Sequence, residues 1–315
     1  MAFADILTLI LPVFGIVGVA YLARLTGLLS ESVENGISDF VFRIAIPCLL
    51  FRTMITAEFG DVSPWAYWAA YFMPIVVTWS AAMFIVMIPL RRDKPTGIVA
   101  GFSACQSNTV LIGIPLILSV YGDAGTAPIA TLIAIHLPIM MLVAAVLMEI
   151  SRGSGANWGE TLKKVAKGVA LNPIIIGILA GLVWRLMNLP AEGLFRPILD
   201  SFANIAGTCA LFVLGLALRK YGVAGDLRAS LSLTTLKIII HPLLVYVLAV
   251  HVFDLPPAWT GAVILFAASP SGVNAYLVAK YYGTGLRISS STIAISTFLS
   301  VISVSFWLTL IPLPD

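Results

Sequence analysis

Residues 104–115 read ACQSNTVLIGIP. Cys105, Gln106, Ser107, Asn108 and Thr109 place consecutive polar or semi-polar side chains inside a long apolar run, and Gly113 and Pro115 follow. Proline in a helix interior costs about 3 kcal/mol relative to alanine, and glycine about 1. The flanks read as a helix crossing hydrocarbon, so the stretch predicts an interruption near the centre of a membrane span. Backbone N–H and C=O groups freed at that depth are tolerated only where protein or a watery cavity satisfies them.

The rest of the chain supports a membrane setting. Apolar residues make up 60% of it and charged ones 10%, too few charges to cover a soluble domain of this size. A helix needs about 20 apolar residues to cross the hydrocarbon core. Ten segments qualify: 5–25, 36–57, 65–90, 96–121, 125–150, 172–190, 196–218, 229–253, 258–282 and 288–311. The break at Ser151–Gly168 is the longest, and its second half reads as a short interfacial helix. With the N-terminus outside, 13 of the 18 Lys and Arg residues fall in inner loops, three in outer loops (Arg52, Arg185, Arg196) and two, Arg43 and Lys237, within spans. That bias predicts ten spans with both termini outside.

Several classes are disfavoured. No basic residues precede the first span and no small-residue cleavage site closes it, so a secretory signal is not expected. The basic residues are spread between spans, so the net charge of +3 implies no nucleic-acid partner. Cys48, Cys105 and Cys209 lie within spans without CxxC spacing, which predicts packing residues rather than a disulfide framework or a zinc site. No metal, cofactor or nucleotide-binding loop is expected. The "PSG" at Pro270–Gly272 is neither GxSxG nor a rhomboid-type loop, and no HExxH occurs, so the chain is not expected to be an enzyme.

A shift of 161 residues aligns Pro12 with Pro173, Arg24–Leu25 with Arg185–Leu186, Asp39 with Asp200, Cys48 with Cys209, and Tyr121–Gly122 with Tyr282–Gly283. Each unit then holds five spans, an odd number, so the second is inserted upside down. The expected fold is an all-α integral membrane protein of two inverted five-helix repeats, 1–150 and 172–315, joined by a cytoplasmic linker at 151–171. Inverted repeats of this kind mark secondary transporters whose substrate site lies where discontinuous helices meet.

The same shift gives the opening stretch a partner. Span 9 contains ASPSGVNAY, Ala268–Tyr276, in which Ser269 corresponds to Asn108 and Asn274 to Gly113. Pro270, Gly272 and Asn274 break that span, flanked by Ser269 and Ser271. Two helices broken at the midplane and crossing in opposite directions bring two positive dipole ends together. An anion fits there, with Ser107, Asn108, Ser269, Ser271 and Asn274 supplying neutral hydrogen-bonding groups.

The polar-then-GIP segment at Ser107–Pro115, the LNP at Leu171–Pro173 and ASPSGVNA at Ala268–Ala275 resemble the auxin efflux carrier family, which includes plant auxin carriers and bacterial malate and malonate permeases. The resemblance covers essentially the whole chain. It implies a scaffold of spans 1, 2, 6 and 7, often dimeric, and a moving transport domain of spans 3–5 and 8–10. It implies that Asn108, Pro115 and Pro270 frame a carboxylate, that Ile46, Pro47 and Leu50 supply apolar contacts from span 2, and that His136 is the polar residue of span 5. It carries the expectation of an elevator-type carrier of small organic anions in the cell membrane, working as a homodimer. A fold-related cation-coupled symporter or ion antiporter is the alternative; antiporters are expected to place acidic pairs beside the crossover, and neither break holds Asp or Glu.

Ionisable groups within spans are costly and usually functional. Asp39 and Arg43, four apart, are placed to neutralise each other. Lys237 and His241, also four apart on span 8, are candidates for a fixed counter-charge to an anion or a substitute for bound sodium; alternatively Lys237 snorkels to the inner interface. His136 is a candidate proton carrier.

Overall fold

The computed structural model describes residues 3–57, 62–153, 157–221 and 227–312. Ser154 in the predicted inner loop and the two chain ends, whose sidedness the sequence predicts, lie outside the described residues. In chain order the helices are α1 (Phe3–Leu25), α2 (Glu31–Phe40), α3 (Ile46–Thr56), α4 (Pro64–Met87), α5 (Lys94–Cys105), α6 (Ile114–Tyr121), α7 (Thr126–Arg152), α8 (Trp158–Ala170), α9 (Pro173–Leu186), α10 (Arg196–Ala217), α11 (Leu227–Thr235), α12 (His241–Tyr246), α13 (Pro257–Ala268), α14 (Asn274–Tyr282) and α15 (Leu286–Leu308). The described residues contain no strand beyond one isolated bridge.

Six helical stretches are long and apolar enough to cross a membrane: Thr8–Leu25, Pro64–Met87, Thr109–Ser151, Arg196–Lys220, Leu227–Val252 and Leu286–Leu308. The pair α8 and α9, bent by 61°, makes a seventh if counted as one. Taken singly, α5, α9 and α13, at 12, 14 and 12 residues, fall short of a full crossing.

Proline positions explain where helices start and where they loosen. Pro64, Pro173, Pro197 and Pro257 sit in first turns, where a missing N–H breaks no bond. The LNP stretch is a cap: the Asn172 side chain accepts from the Ile174 N–H at 2.9 Å, and Pro173 opens α9. Within spans, Pro47, Pro115 and Pro242 each follow a π-helical turn, at Val41–Ala45, Thr109–Gly113 and Leu236–Ile240. The proline ring clashes with the carbonyl four residues back, and a widened turn relieves it. The carbonyl Pro242 displaces is that of Ile238, which accepts from Ser303 Oγ at 2.6 Å and Trp307 Nε1 at 3.1 Å.

Helices α1, α3, α9 and α10 form one packed group. Small residues allow their close approach: a Cβ on Gly177 of α9 would lie 2.6 Å from the Pro47 carbonyl, and one on Gly215 of α10 would meet the Val17 carbonyl. A second group joins α4 to α5, α11 to α15, and α12 to α13. Charges gather at the ends of the helices. Buried Glu34 pairs with Lys220 at 2.9 Å and with Arg24 at 3.7 Å, and Asp200 pairs with Arg196 at 2.9 Å and Arg52 at 3.2 Å.

Candidate functional site

The two interrupted segments meet. Helix α5 ends at Cys105 and α13 at Ala268, and Gln106 and Ser269 turn into extended backbone. Ser107 and Ser271 then form an antiparallel bridge. The Asn108 N–H donates to the Pro270 carbonyl at 2.9 Å, and the Gly272 N–H donates to the Gln106 carbonyl at 2.8 Å. Each break thus satisfies the backbone of the other, in a place where water-exposed alternatives are absent. Glycine is required at 272: a Cβ there would lie 2.9 Å from the Ser107 carbonyl oxygen.

The half-helix ends are treated differently. At the C-terminus of α5, the Ser103 carbonyl accepts from Ser271 Oγ at 2.8 Å. At the C-terminus of α13, the Ala267 carbonyl accepts from the Lys237 ammonium. One negative dipole end is held by a hydroxyl, the other by the amino group of a lysine. The Ser271 N–H donates to Ser296 Oγ at 3.0 Å, and Ser269 bonds back to the Leu265 carbonyl at 2.8 Å. On the N-terminal sides, Asn108 Oδ1 caps the turn at Thr109 by accepting from the Leu111 N–H at 3.3 Å. The buried Nδ2 of Asn108 has no partner among the described residues. Asn274, half-buried, opens α14 and lines a cavity of about 720 Å³ between α7, α8, α9 and α14.

An aromatic side chain ties the bridge to the histidines. Tyr71 Oη donates to Ser107 Oγ at 2.9 Å and lies 3.2 Å from His136 Nε2. A phenol has one proton, so with Ser107 receiving it, Nε2 of His136 is the protonated nitrogen, donating to the Tyr71 oxygen. His241 packs edge-on against the Tyr71 ring and places Nδ1 3.4 Å from Thr78 Oγ1.

Ser107, Asn108, Ser269, Pro270, Ser271, His136, Lys237 and His241, singled out in the sequence, lie in or beside this assembly. Ile46 and Leu50 are fully buried and Pro47 partly so. Thr109 is buried, Gly113 faces the Phe266 ring, and Pro115 abuts Gly207 of α10. Lys237 has no exposed surface, so it does not snorkel to an interface; its amine ends on α13. Asp39 and Arg43 pair with each other at 3.1 Å with both side chains 71% exposed, and the structure does not bring them to the breaks. Sequence reasoning passed over Tyr71, Ser103 and Ser296. Tyr71 sits among the many aromatics of α4, and Ser103 and Ser296 are single hydroxyls among many in their helices, so nothing in the pattern marks them.

A multi-pass helical membrane protein with two interrupted helices hydrogen-bonded at their breaks is a membrane transporter by class. Residues 5–308 match the family model described as "Membrane transport protein", and the chain belongs to that family, in which the auxin efflux carriers stand. It is 26% identical over 313 residues to a protein of Rhizobium meliloti named "Putative malonate transporter", covering 98% of this chain and 96% of that one. It is 25% identical over 343 residues to the mouse "Lysosomal cholesterol signaling protein", covering all of this chain but 39% of that longer protein. It is 20% identical over 334 residues to "Auxin efflux carrier component 8" of Arabidopsis thaliana, covering 89% of each.

Proposed function

We propose that the protein carries small organic anions across the cell membrane by elevator-type alternating access. The reading treats the chain as ten spans in two inverted repeats, with α5–α6 and α13–α14 as the crossing broken helices. Helices α1, α3, α9 and α10 would form a scaffold that pairs as a homodimer, and the group containing α4, α5, α7 and α11–α15 would move against it. The inner side is taken as the end bearing α8, Arg24, Lys220 and Arg228, in line with the charge bias.

The observation that carries the reading is the buried, unpartnered Nδ2 of Asn108, beside the point where each break is closed by the other. The two breaks bond to each other through the backbone, and the Asn108 amide donor beside them is left for a guest. The N-terminus of α14 adds a positive dipole end, and Asn274 there lines the cavity. Carboxylates match neutral amide donors and helix dipoles, and malonate is the probe suggested by the name of a bacterial relative. The test is uptake of labelled malonate and of a panel of mono- and dicarboxylates by vesicles holding the purified protein. Saturable uptake that is lost in Asn274→Ala supports the reading; absence of uptake for the whole panel, with the protein correctly folded, removes it.

A further inference from the structure

The hydroxyls of α11 divide into two sets. On its exposed side, Ser232 and Thr235 bond back to the carbonyls of Arg228 and Leu231 at 2.9 and 3.0 Å. This is the ordinary way a hydroxyl satisfies itself inside a membrane helix. On the buried side, Ser230 and Thr234 are 0% and 1% exposed, yet neither Oγ nor Oγ1 has a partner among the described residues. Continuing that face by i, i+4 and i+3 steps reaches Lys237 and then His241, both fully buried. The facing helices repeat the pattern. Trp79 Nε1 on α4 and Ser289 Oγ on α15 are also buried and unpartnered, while Thr292 and Thr297 of α15 bond back to their own helix.

These helices share one apolar cluster, Ala82 of α4, Ala100 and Ala104 of α5, Ala229 and Leu233 of α11, and Ile288 of α15, with the Trp79 ring beside it against Gly101 and Phe102 of α5. Four orphaned buried donors on helices sharing a cluster are too many to attribute to chance, since buried polar groups are nearly always paired. Water paired to several such groups is the usual resolution.

We propose that the seam between α4, α5, α11 and α15 holds a file of water leading from the Arg228 end of the protein to Lys237, and that Lys237 exchanges its proton along it. Ser230 and Lys237 are seven positions apart along the helix, a path of about 10 Å. Among the described residues no carboxylate pairs with Lys237. The titratable groups nearby are Cys105 on α5, His136 on α7, His241 on α12 and, beside both histidines, Tyr71 on α4. In the exchange one N–H bond of the ammonium breaks and the adjacent water takes the proton as hydronium. The amine keeps another N–H on the Ala267 carbonyl, so the end of α13 stays capped. This goes beyond anion transport: it gives the carrier a proton-binding site on its broken-helix assembly, reached from one side.

Two measurements on the purified full chain test it, and neither depends on a transported anion. Radiolytic hydroxyl-radical footprinting oxidises residues beside bound water. Trp79, 4% exposed with a free Nε1, is expected to be modified about 10-fold faster than Trp307, 2% exposed and bonded to Ile238. Second, NMR of protein carrying 15N-labelled lysine, with the Lys237 signal assigned by its loss in Lys237→Met, reports exchange of the ammonium protons with bulk water. Thr234→Val should slow that exchange about 10-fold, while Thr234→Ser should leave it near wild type. Equal, low modification of both tryptophans, or an exchange rate unchanged in folded Thr234→Val, would overturn the proposal.

Discussion

The Asn108 N–H donates to the Pro270 carbonyl at 2.9 Å across 162 positions of sequence. The Gly272 N–H returns a bond to the Gln106 carbonyl at 2.8 Å, so each break supplies the other with partners that lipid could not. Four backbone groups at the centre of the protein depend on a long-range contact, and what disturbs one break disturbs both.

That dependence makes Gly272 a sensitive position. A methyl at 272 would sit 2.9 Å from the Ser107 oxygen and 3.2 Å from its carbonyl carbon. Backbone cannot rotate away as a side chain does. Gly272→Ala is expected to destabilise by about 1–3 kcal/mol, the usual effect of overpacking, and to lower the thermal midpoint. Gly159→Ala is the control, since a Cβ there meets nothing within 4 Å and alanine is the better helix former. Equal midpoints for both variants would mean the two breaks are not held together as described.

A carboxylate of α7 holds the start of α8. Glu149 is 1% exposed and accepts from the Asn157 N–H at 2.9 Å and from Thr161 Oγ1 at 2.8 Å. Its oxygens close the start of a helix that is otherwise exposed and basic. Glu149→Ala removes both acceptors and leaves a cavity, and is expected to cost about 2–4 kcal/mol of local stability. Limited proteolysis should then cut at Lys163, Lys164 and Lys167 well before the rest of the chain. Thr161→Val, which loses one of the two bonds, should give an intermediate rate. Cleavage as slow as in the wild type would show that α8 is held by other contacts.

The sequence is most legible where helices fail. Proline and glycine at 113, 115, 270 and 272 mark both breaks because helix cost is local and needs no knowledge of neighbours. Their mutual pairing is not local, and only the repeat offset hints at it. Lys237 illustrates the limit. Its distance from the end of its span allows a snorkelling amine, but the carbonyl of Ala267, left open by the end of α13, holds it inside. Asp39 and Arg43 illustrate the converse: their spacing gives the ion pair correctly, and only the fold shows that the pair faces outward. Tyr71 stays hidden because one phenol among many aromatics gains meaning only when Ser107 and His136 arrive beside it.

Orientation is testable at two exposed positions. With Cys48, Cys105 and Cys209 replaced, a cysteine is introduced at Lys163 on α8 or at Leu194 in the turn before α10, which is 99% exposed. An impermeant thiol reagent on intact cells is expected to label Leu194→Cys and to spare Lys163→Cys until the membrane is opened. The reverse pattern would invert the sidedness read from the basic residues.

Asn108 has two separable roles, and one substitution divides them. Its Oδ1 caps the turn at Thr109, while its Nδ2 is buried and unpartnered. Asn108→Ala would remove both and confuse folding with binding, because losing a cap alone costs about 0.5–2 kcal/mol. Serine is as good a capping residue as asparagine, but its hydroxyl proton and shorter reach do not replace the amide donor. In Asn108→Ser the thermal midpoint should stay near that of the wild type. Binding of malonate, or of whichever panel carboxylate protects the wild type against heat, should weaken about 10-fold or more, as expected when a hydrogen bond to a charged group, about 1.5–3 kcal/mol, is lost. Isothermal titration on both proteins measures the difference directly. A midpoint lowered as far as in Asn108→Ala would show that serine does not cap this turn. An unchanged affinity in a stable Asn108→Ser protein would place the anion away from the crossing, and the free amide would then need another explanation.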